Sequence, residues 1–280
     1  MKERKRTVQA MDVDTHQRSG QVASGGILVK IRDVVIPGDS RGTPGAAVGP
    51  ISLDIYRGEL LAIISNSSTA LDTLLRMVAG VAAVRSGTID RAVAPEGQPA
   101  ERIGLVLPKP GLLPWRTVLG NILLQAEMHG LDRSECLGRA RRLMAWFGLC
   151  EFEGRLPHEL PFPTGQLVSL CRALAHNPPL LLLIEPFLQF DALAAERALD
   201  ALQRLWKETE ATVLLGTRNI QAAVLLANRI AIISAPPAPC LQVINIDLPY
   251  PRRFDRAMTP AISDCCGRIR TILRAQGALP

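Results

Sequence analysis

No run of apolar residues in this 280-residue chain reaches the ~18 to 20 that a membrane-spanning helix requires. The N-terminus also lacks the apolar core of a secretory signal, so any membrane association is expected through partners. Paired metal-ligand spacing is missing too. The six cysteines are Cys136, Cys150, Cys171, Cys240, Cys265 and Cys266, and three of them lie in or beside apolar runs, as buried free thiols do. That usage suits a reducing cytosol, and no metal is expected. Dense basic charge is nearly absent: the formal net charge is +6, but only the opening MKERKR is a cluster. It reads as a solvated tail first and a phosphate or anionic-lipid contact second, and no nucleic-acid partner is expected. A disordered composition is excluded as well, because 48% hydrophobic and 21% charged residues suffice for one large core or two modest ones.

What is present is organised. Residues 1–25 are polar, basic and rich in Gly and Ser, and read as a flexible extension. ILVKIRDVV and ISLDIY alternate apolar and polar residues like strands of a half-exposed antiparallel sheet, with a Pro/Gly-rich loop between them. LLAII is a continuous apolar run, as in a strand buried on both faces. From Gly120 to about Gly148 the chain reads as helical, with Leu137, Ala140, Met144 and Phe147 three or four apart. The C-terminal half then alternates strand and helix: PLLLLIEPF, ALAAERALDALQRLWKE, ATVLLGT, NIQAAVLLAN and RIAIIS. This alternation predicts a parallel α/β sheet covered by helices. Beyond Pro236 the prolines suggest an irregular appendage with a short helix near Ile269.

The stretch LAIISNSSTALDTLLRMVAG, Leu61 to Gly80, is a strand feeding a loop and then a helix, the frame of a phosphate loop. The loop itself contains neither glycine nor lysine.

The order and spacing of LLPWRTVLGNILL, LPHEL, RALAHNPPLLLLIEPF, TVLLGTRNIQAAVLLANRIAIIS and IDLPYPRRFDR resemble the ATPase subunit of ATP-binding cassette transporters, in the nitrate, sulfonate and taurine importer branch. The resemblance implies a P-loop NTPase-like α/β fold with a mostly parallel core, an antiparallel β subdomain and a helical subdomain at about 108–170. The cassette-like domain would span 26–240 and the appendage 241–280. It also implies a set of nucleotide-site residues. The family's phosphate loop falls on Ser65 to Asp72, where Ser65 and Ala70 replace glycines, Leu71 the lysine and Asp72 the magnesium-binding hydroxyl, with Thr73 beside it. Without the glycines the loop is poorly suited to curl around phosphate, and without the lysine it lacks the cation. Asp72 is expected to cap the helix and fill the anion site from within.

The other motifs depart from the family in the same direction. The magnesium-sensing glutamine falls on Pro108, and the signature loop reads LPFPTGQ, with Pro161, Phe162 and Pro163 replacing the serine and glycines while Gln166 remains. Two prolines remove two N–H donors. Ile184 stands at the magnesium-water aspartate, Glu185 at the general base, Arg218 at the switch histidine, Asp191 at the dimer-contact aspartate, and Ile36 near the adenine-stacking aromatic.

Three functions follow from the resemblance. The first is a catalytically degenerate cassette subunit paired with a homologous cassette subunit and transmembrane permease subunits, cytoplasmic and peripheral at the inner face of the membrane. The second is a scaffold or regulator of another protein complex. The third is a working importer ATPase, and only this one requires ATP and magnesium, since no cofactor is otherwise expected. In the family each ATP lies between one subunit's phosphate loop and the other's signature, and this chain departs from the pattern at both.

Overall fold

The computed structural model describes residues 26–38, 47–65, 67–92, 102–209, 211–234, 241–253 and 259–276. The tail expected over 1–25, the polar segment around Gln98 and Pro99, and Cys240 lie outside the described residues.

β1 (Ile27–Ile36) and β2 (Val48–Tyr56) pair antiparallel, with Ile31 opposite Leu53, and bury alternate side chains as their period-two pattern dictates. β3 (Leu60–Ser65) is buried at every position and belongs to a second sheet. From it the chain enters α1 (Ser68–Ala79), whose Leu71, Leu74, Leu75 and Val78 face the core at helical spacing. α1 stops at Gly80, which adopts φ 77 and returns its N–H to Arg76 and Met77 carbonyls. β4 (Thr88–Arg91) then closes the small sheet in the order β2-β1-β4.

β5 (Ile103–Val106) leads into a layer of helices, α2 (Val118–Ile122), α3 (Leu124–Met128), α4 (Arg133–Trp146) and α5 (Phe162–Ala175). The helix expected from Gly120 to Gly148 is thus three separate pieces. Gly130 takes φ 62, and Asp132 restarts the helix by accepting from the N–H of Glu135. The strand and helix alternation then appears as expected: β6 (Leu180–Ile184), α6 (Ala192–Thr209), β7 (Thr212–Gly216), α7 (Ile220–Leu226) and β8 (Arg229–Ile233). Strands β6 and β7 are wholly buried, which is why they read as unbroken apolar runs. Gly104 lets α5 close on the sheet, because a Cβ there would lie 2.5 Å from the Ala173 carbonyl oxygen.

The large sheet has the order β5-β6-β7-β3-β8-β9, parallel except for β9 (Leu241–Asn245), which runs antiparallel to β8. This corrects the expected appendage over 241–280. β9 extends the main sheet, and α8 (Pro260–Ala275) packs Ile262, Cys266, Ile269 and Leu273 into the main core, against α7. Between them, PYPRR is a rivet. Arg252 is buried and donates to the carbonyls of Val224, Ala227, Ile246 and Leu248, while Gln203 of α6 holds its backbone at both N–H and carbonyl. Tyr250 adds a hydrogen bond to the Leu226 carbonyl and a tilted contact with Trp206.

Cys136, Cys171 and Cys266 are buried free thiols, whereas Cys150 is exposed. Burial raises the thiol pKa values of all three buried residues, so they sit as small apolar groups. Among the described residues no helix is long and apolar enough to cross a membrane.

Candidate functional site

The carboxyl ends of parallel strands are where open α/β sheets place ligands. Here β3, β6 and β7 end side by side and deliver Ser65, Glu185 and Thr217–Arg218 to one edge, with β5 delivering Leu107 and Pro108 beyond β6. Ser65, Pro108, Glu185 and Arg218, four of the positions expected from sequence, therefore line this edge, but their interactions differ from those expected.

The helix after β3 begins at Ser68, so Asp72 is not at its N-terminus. Ser67 is the N-cap: its hydroxyl accepts from the N–H of Ala70, and its carbonyl accepts from Leu71. Ser65 in turn accepts from the N–H of Ser67. This overturns the expectation that Asp72 caps the helix. With no glycine to hold an open loop at positive φ, Ser-Ser-Thr-Ala folds into the helix's first turn. Asp72 lies one turn later, half-exposed, and its carboxylate accepts from Arg76 Nε at 2.6 Å. Thr73 is partly exposed beside it. Leu71 is 1% exposed and points inward. A Cβ at Gly216 would come within 3.0 Å of Leu71 Cδ1, so this side chain is locked against the end of β7.

Ile184 closes β6 in the core, and Glu185 leaves it with φ 44, a left-handed conformation that is uncommon for a side chain of this size. The Glu185 N–H donates to the Gly216 carbonyl, which fixes the turn. Both of its carboxylate oxygens are engaged. Oε1 accepts from the Arg218 backbone N–H at 2.9 Å and from Arg218 Nε at 3.2 Å, and Oε2 accepts from the Thr217 hydroxyl at 3.3 Å. The Glu185 side chain is 9% exposed and that of Arg218 49%. Asn219 then caps α7 by accepting from Ala222. Thr217 and Ser67 escaped the sequence analysis. A hydroxyl just before an apolar helix was a readable capping signal, but Thr217 bonds Glu185 across 32 residues.

Pro161 occupies the N-cap of α5, and Pro163 its second position, where a helix has no internal partner for an N–H. Phe162 is part-buried between them. Gln166 is buried and donates to the Leu107 carbonyl at 2.6 Å, while Arg172 donates to the carbonyls of Pro110 and Gly111. These bonds tie the loop that carries Pro108 to α5. Asn121, fully buried, holds the next segment by exchanging bonds with Leu113 and donating to Arg116 and Thr117 carbonyls. Trp115 stands 73% exposed on this pinned loop, and Arg116 reaches Glu127 of α3 at 2.6 Å, next to Met128, which is 70% exposed. Asp191 caps α6, accepting from Ala194, with Leu188 and Leu193 exposed on either side. Ile36 is buried between the small sheet and its core, so it offers no stacking face, and the adenine-contact expectation fails there.

The sequence pattern of ABC transporters matches residues 48–188, which include the β3–α1 turn, the pinned loop, the whole of α5 and Glu185. The chain belongs to the ABC transporter family. Similar ABC proteins include the taurine import ATP-binding protein TauB of Escherichia coli K12, 36% identical over 74% of this chain and 81% of TauB. TauB of Rhizobium johnstonii is 32% identical, covering 82% and 89% of the two chains. Among solved structures, the dimeric bacterial ABC transporter cassette MJ0796 matches with a TM-score of 0.65 at 22% identity, over 78% of this chain and 99% of that one. The cbiO1 protein of Clostridium perfringens, part of the ABC transporter complex cbiONQ, matches with a TM-score of 0.62 at 21% identity, over 74% and 84%. At those identities the structural likeness establishes the cassette fold, an α/β architecture with a mostly parallel sheet.

Proposed function

We propose that this chain is a catalytically degenerate nucleotide-binding-domain subunit of an ABC importer-type complex, acting in assembly, coupling or regulation rather than in ATP hydrolysis. The observation that carries this reading is the latch at Glu185. A general base needs a carboxylate lone pair turned toward its proton. Here the nearly buried carboxylate is turned back onto the chain itself, accepting three bonds from Arg218 and Thr217.

The residues present also fit a magnesium nucleotide poorly. Phosphate binding at a P-loop needs a lysine and exposed N–H groups, and magnesium needs a hydroxyl and a carboxylate. Leu71 is in the core, Ser67 covers the start of α1, and Asp72 is paired with Arg76. Ile184 stands at the end of β6, and two prolines start α5. No ATP is therefore expected to be held.

An exposed face suited to docking is present by contrast. Trp115 and Met128 are displayed on a face fixed by Asn121, Arg172 and the Arg116–Glu127 pair, and a rigid exposed aromatic is a good docking anchor. Solved structures described as a dimeric cassette and as part of an ABC transporter complex support a partnered role. The partners inferred for this chain are permease subunits and a second cassette, at the inner face of the membrane.

The test is calorimetric titration of the purified chain with ATP, with and without magnesium. No saturable heat in the micromolar range is expected. Magnesium-dependent turnover that vanishes on Glu185→Gln would instead establish a working importer ATPase, the activity named for the TauB relatives. Isolation from native membranes should recover a permease with a second cassette subunit. Recovery of an unrelated complex would shift the function to a scaffold elsewhere.

A further inference from the structure

A second concave site lies at the opposite end of the large sheet. It is a cavity of about 160 Å³ where one face of α4, the turn into β6 and the C-terminal end of α6 meet. Asn177 and Pro178 precede β6, and Ala211 precedes β7. The cavity is thus separated from the Glu185 edge by the length of those strands, about 15 Å.

Its chemistry has three parts. The floor is apolar, made by Leu143, Leu174 and Leu205, and Trp146 forms a half-exposed wall. At 150 Å³ an apolar cavity already admits a benzene ring, so this volume suits a phenyl-sized or branched aliphatic group. The rim carries Arg142 and Glu208, and among the described residues neither takes part in an ion pair or side-chain hydrogen bond. The remaining rim cation, Arg139, is already engaged by Glu135 and the Ala175 carbonyl. A simple carboxylate would satisfy Arg142 and be opposed by Glu208, and a simple amine would do the reverse. A molecule with an apolar side chain and adjacent carboxylate and ammonium groups satisfies all three parts.

We propose that this cavity binds an apolar α-amino acid as its zwitterion, with the side chain on the leucine floor, the carboxylate on Arg142 and the ammonium on Glu208. The site is independent of the nucleotide edge. It also lies at the joint between the helical layer and the core, at the far end of the helix capped by Asp191. Occupancy would tie α4 to α6 and so bias how the helical layer sits on the sheet.

The experiment is a titration of the full chain with L-phenylalanine, 3-phenylpropionate and phenethylamine, read by calorimetry and by Trp146 fluorescence. L-Phenylalanine should bind saturably with a submillimolar Kd, and each analogue at least tenfold more weakly. Arg142→Ala should weaken L-phenylalanine at least tenfold and leave phenethylamine unchanged, whereas Glu208→Gln should weaken L-phenylalanine and leave 3-phenylpropionate unchanged or tighter. Both residues are exposed, so circular dichroism and the melting temperature should match those of the parent chain. Trp146→Phe should abolish the fluorescence change and leave the heat. The absence of saturable L-phenylalanine binding overturns the proposal, as do analogues that bind equally well or an Arg142→Ala variant that binds normally.

Discussion

Glu185→Gln separates a latch from a poised base because the two predict opposite signs. The amide keeps the shape of the side chain and one acceptor oxygen, and it leaves the left-handed backbone at φ 44 as strained as before. Only charge and one acceptor change. In the structure the carboxylate receives a backbone N–H, a guanidinium Nε and a hydroxyl while nearly buried. A hydrogen bond to a charged group contributes about 1.5–3 kcal/mol when well buried. The guanidinium is half exposed, so solvent screening pulls its share toward the 0–1 kcal/mol of a surface pair. The Arg218 N–H bond survives in weakened form on the remaining oxygen, and the Thr217 hydroxyl must turn to accept from the new amide N–H. The net expectation is a loss of about 1–2 kcal/mol.

Urea unfolding at neutral pH measures this directly, with the midpoint falling and the slope unchanged. Arg218→Ala should cost a similar amount, and the double variant clearly less than the sum, since one interaction is removed twice. A carboxylate held for chemistry behaves otherwise, because functional groups commonly reduce stability and neutralising them restores it. If Glu185→Gln is neutral or stabilising, or if the two single effects simply add, the latch is refuted.

Leu71→Lys, made to restore the phosphate-binding cation, should destabilise by several kcal/mol and confer no ATP binding, because the side chain lies in the core against Gly216; tight binding by calorimetry would contradict this. Arg252→Ala leaves four carbonyls, three of them buried, without their donor and should lower stability by about 3 kcal/mol or more, with Arg252→Lys failing to rescue because one ammonium cannot reach all four. Burial, then the nearby His129 charge, lowers the pKa of His176 from 6.5 to about 4. The unfolded chain therefore takes up this proton first, so stability should fall as pH drops from 6.5 toward 4 by up to about 3 kcal/mol and level off below. His176→Phe should flatten that part of the profile, measured by chemical denaturation at a series of pH values; an unchanged slope would remove the histidine from the account.

The parallel core was legible because burial on both faces writes each strand as an unbroken apolar run, as in Leu180–Ile184. β4 was not, since Thr88–Arg91 is short and largely exposed and pairs only because β1 is already there. β9 was hidden for a similar reason: Leu241–Asn245 follows a proline cluster and is part-exposed, and its place comes from the register with β8. At the site, the positions were legible but the contacts were not. Choosing between Ser67 and Asp72 as the helix cap depends on where the backbone first turns, and glycine-free residues turned earlier than the family pattern implied. The latch depends on Ile184 pairing with Gly216 across adjacent strands, which brings residues 33 apart within hydrogen-bond reach.

On the proposed reading, several positions that depart from the family pattern are reused within the chain. The lysine position now packs the core against Gly216, the hydroxyl position pairs with Arg76, and the base is held by Arg218. Two prolines stand at helix positions where an N–H has no internal partner. Loss of function by drift alone gives no reason for the Glu185 carboxylate to be partnered, and a nearly buried carboxylate without a partner is costly. A chain released from chemistry but still required to fold and dock gains from closing those valences internally, because most natural sequences sit just above their stability threshold. That is why the sign of the Glu185→Gln effect is informative about function: an ATPase tolerates an unsatisfied base because it uses it, and a structural subunit does not.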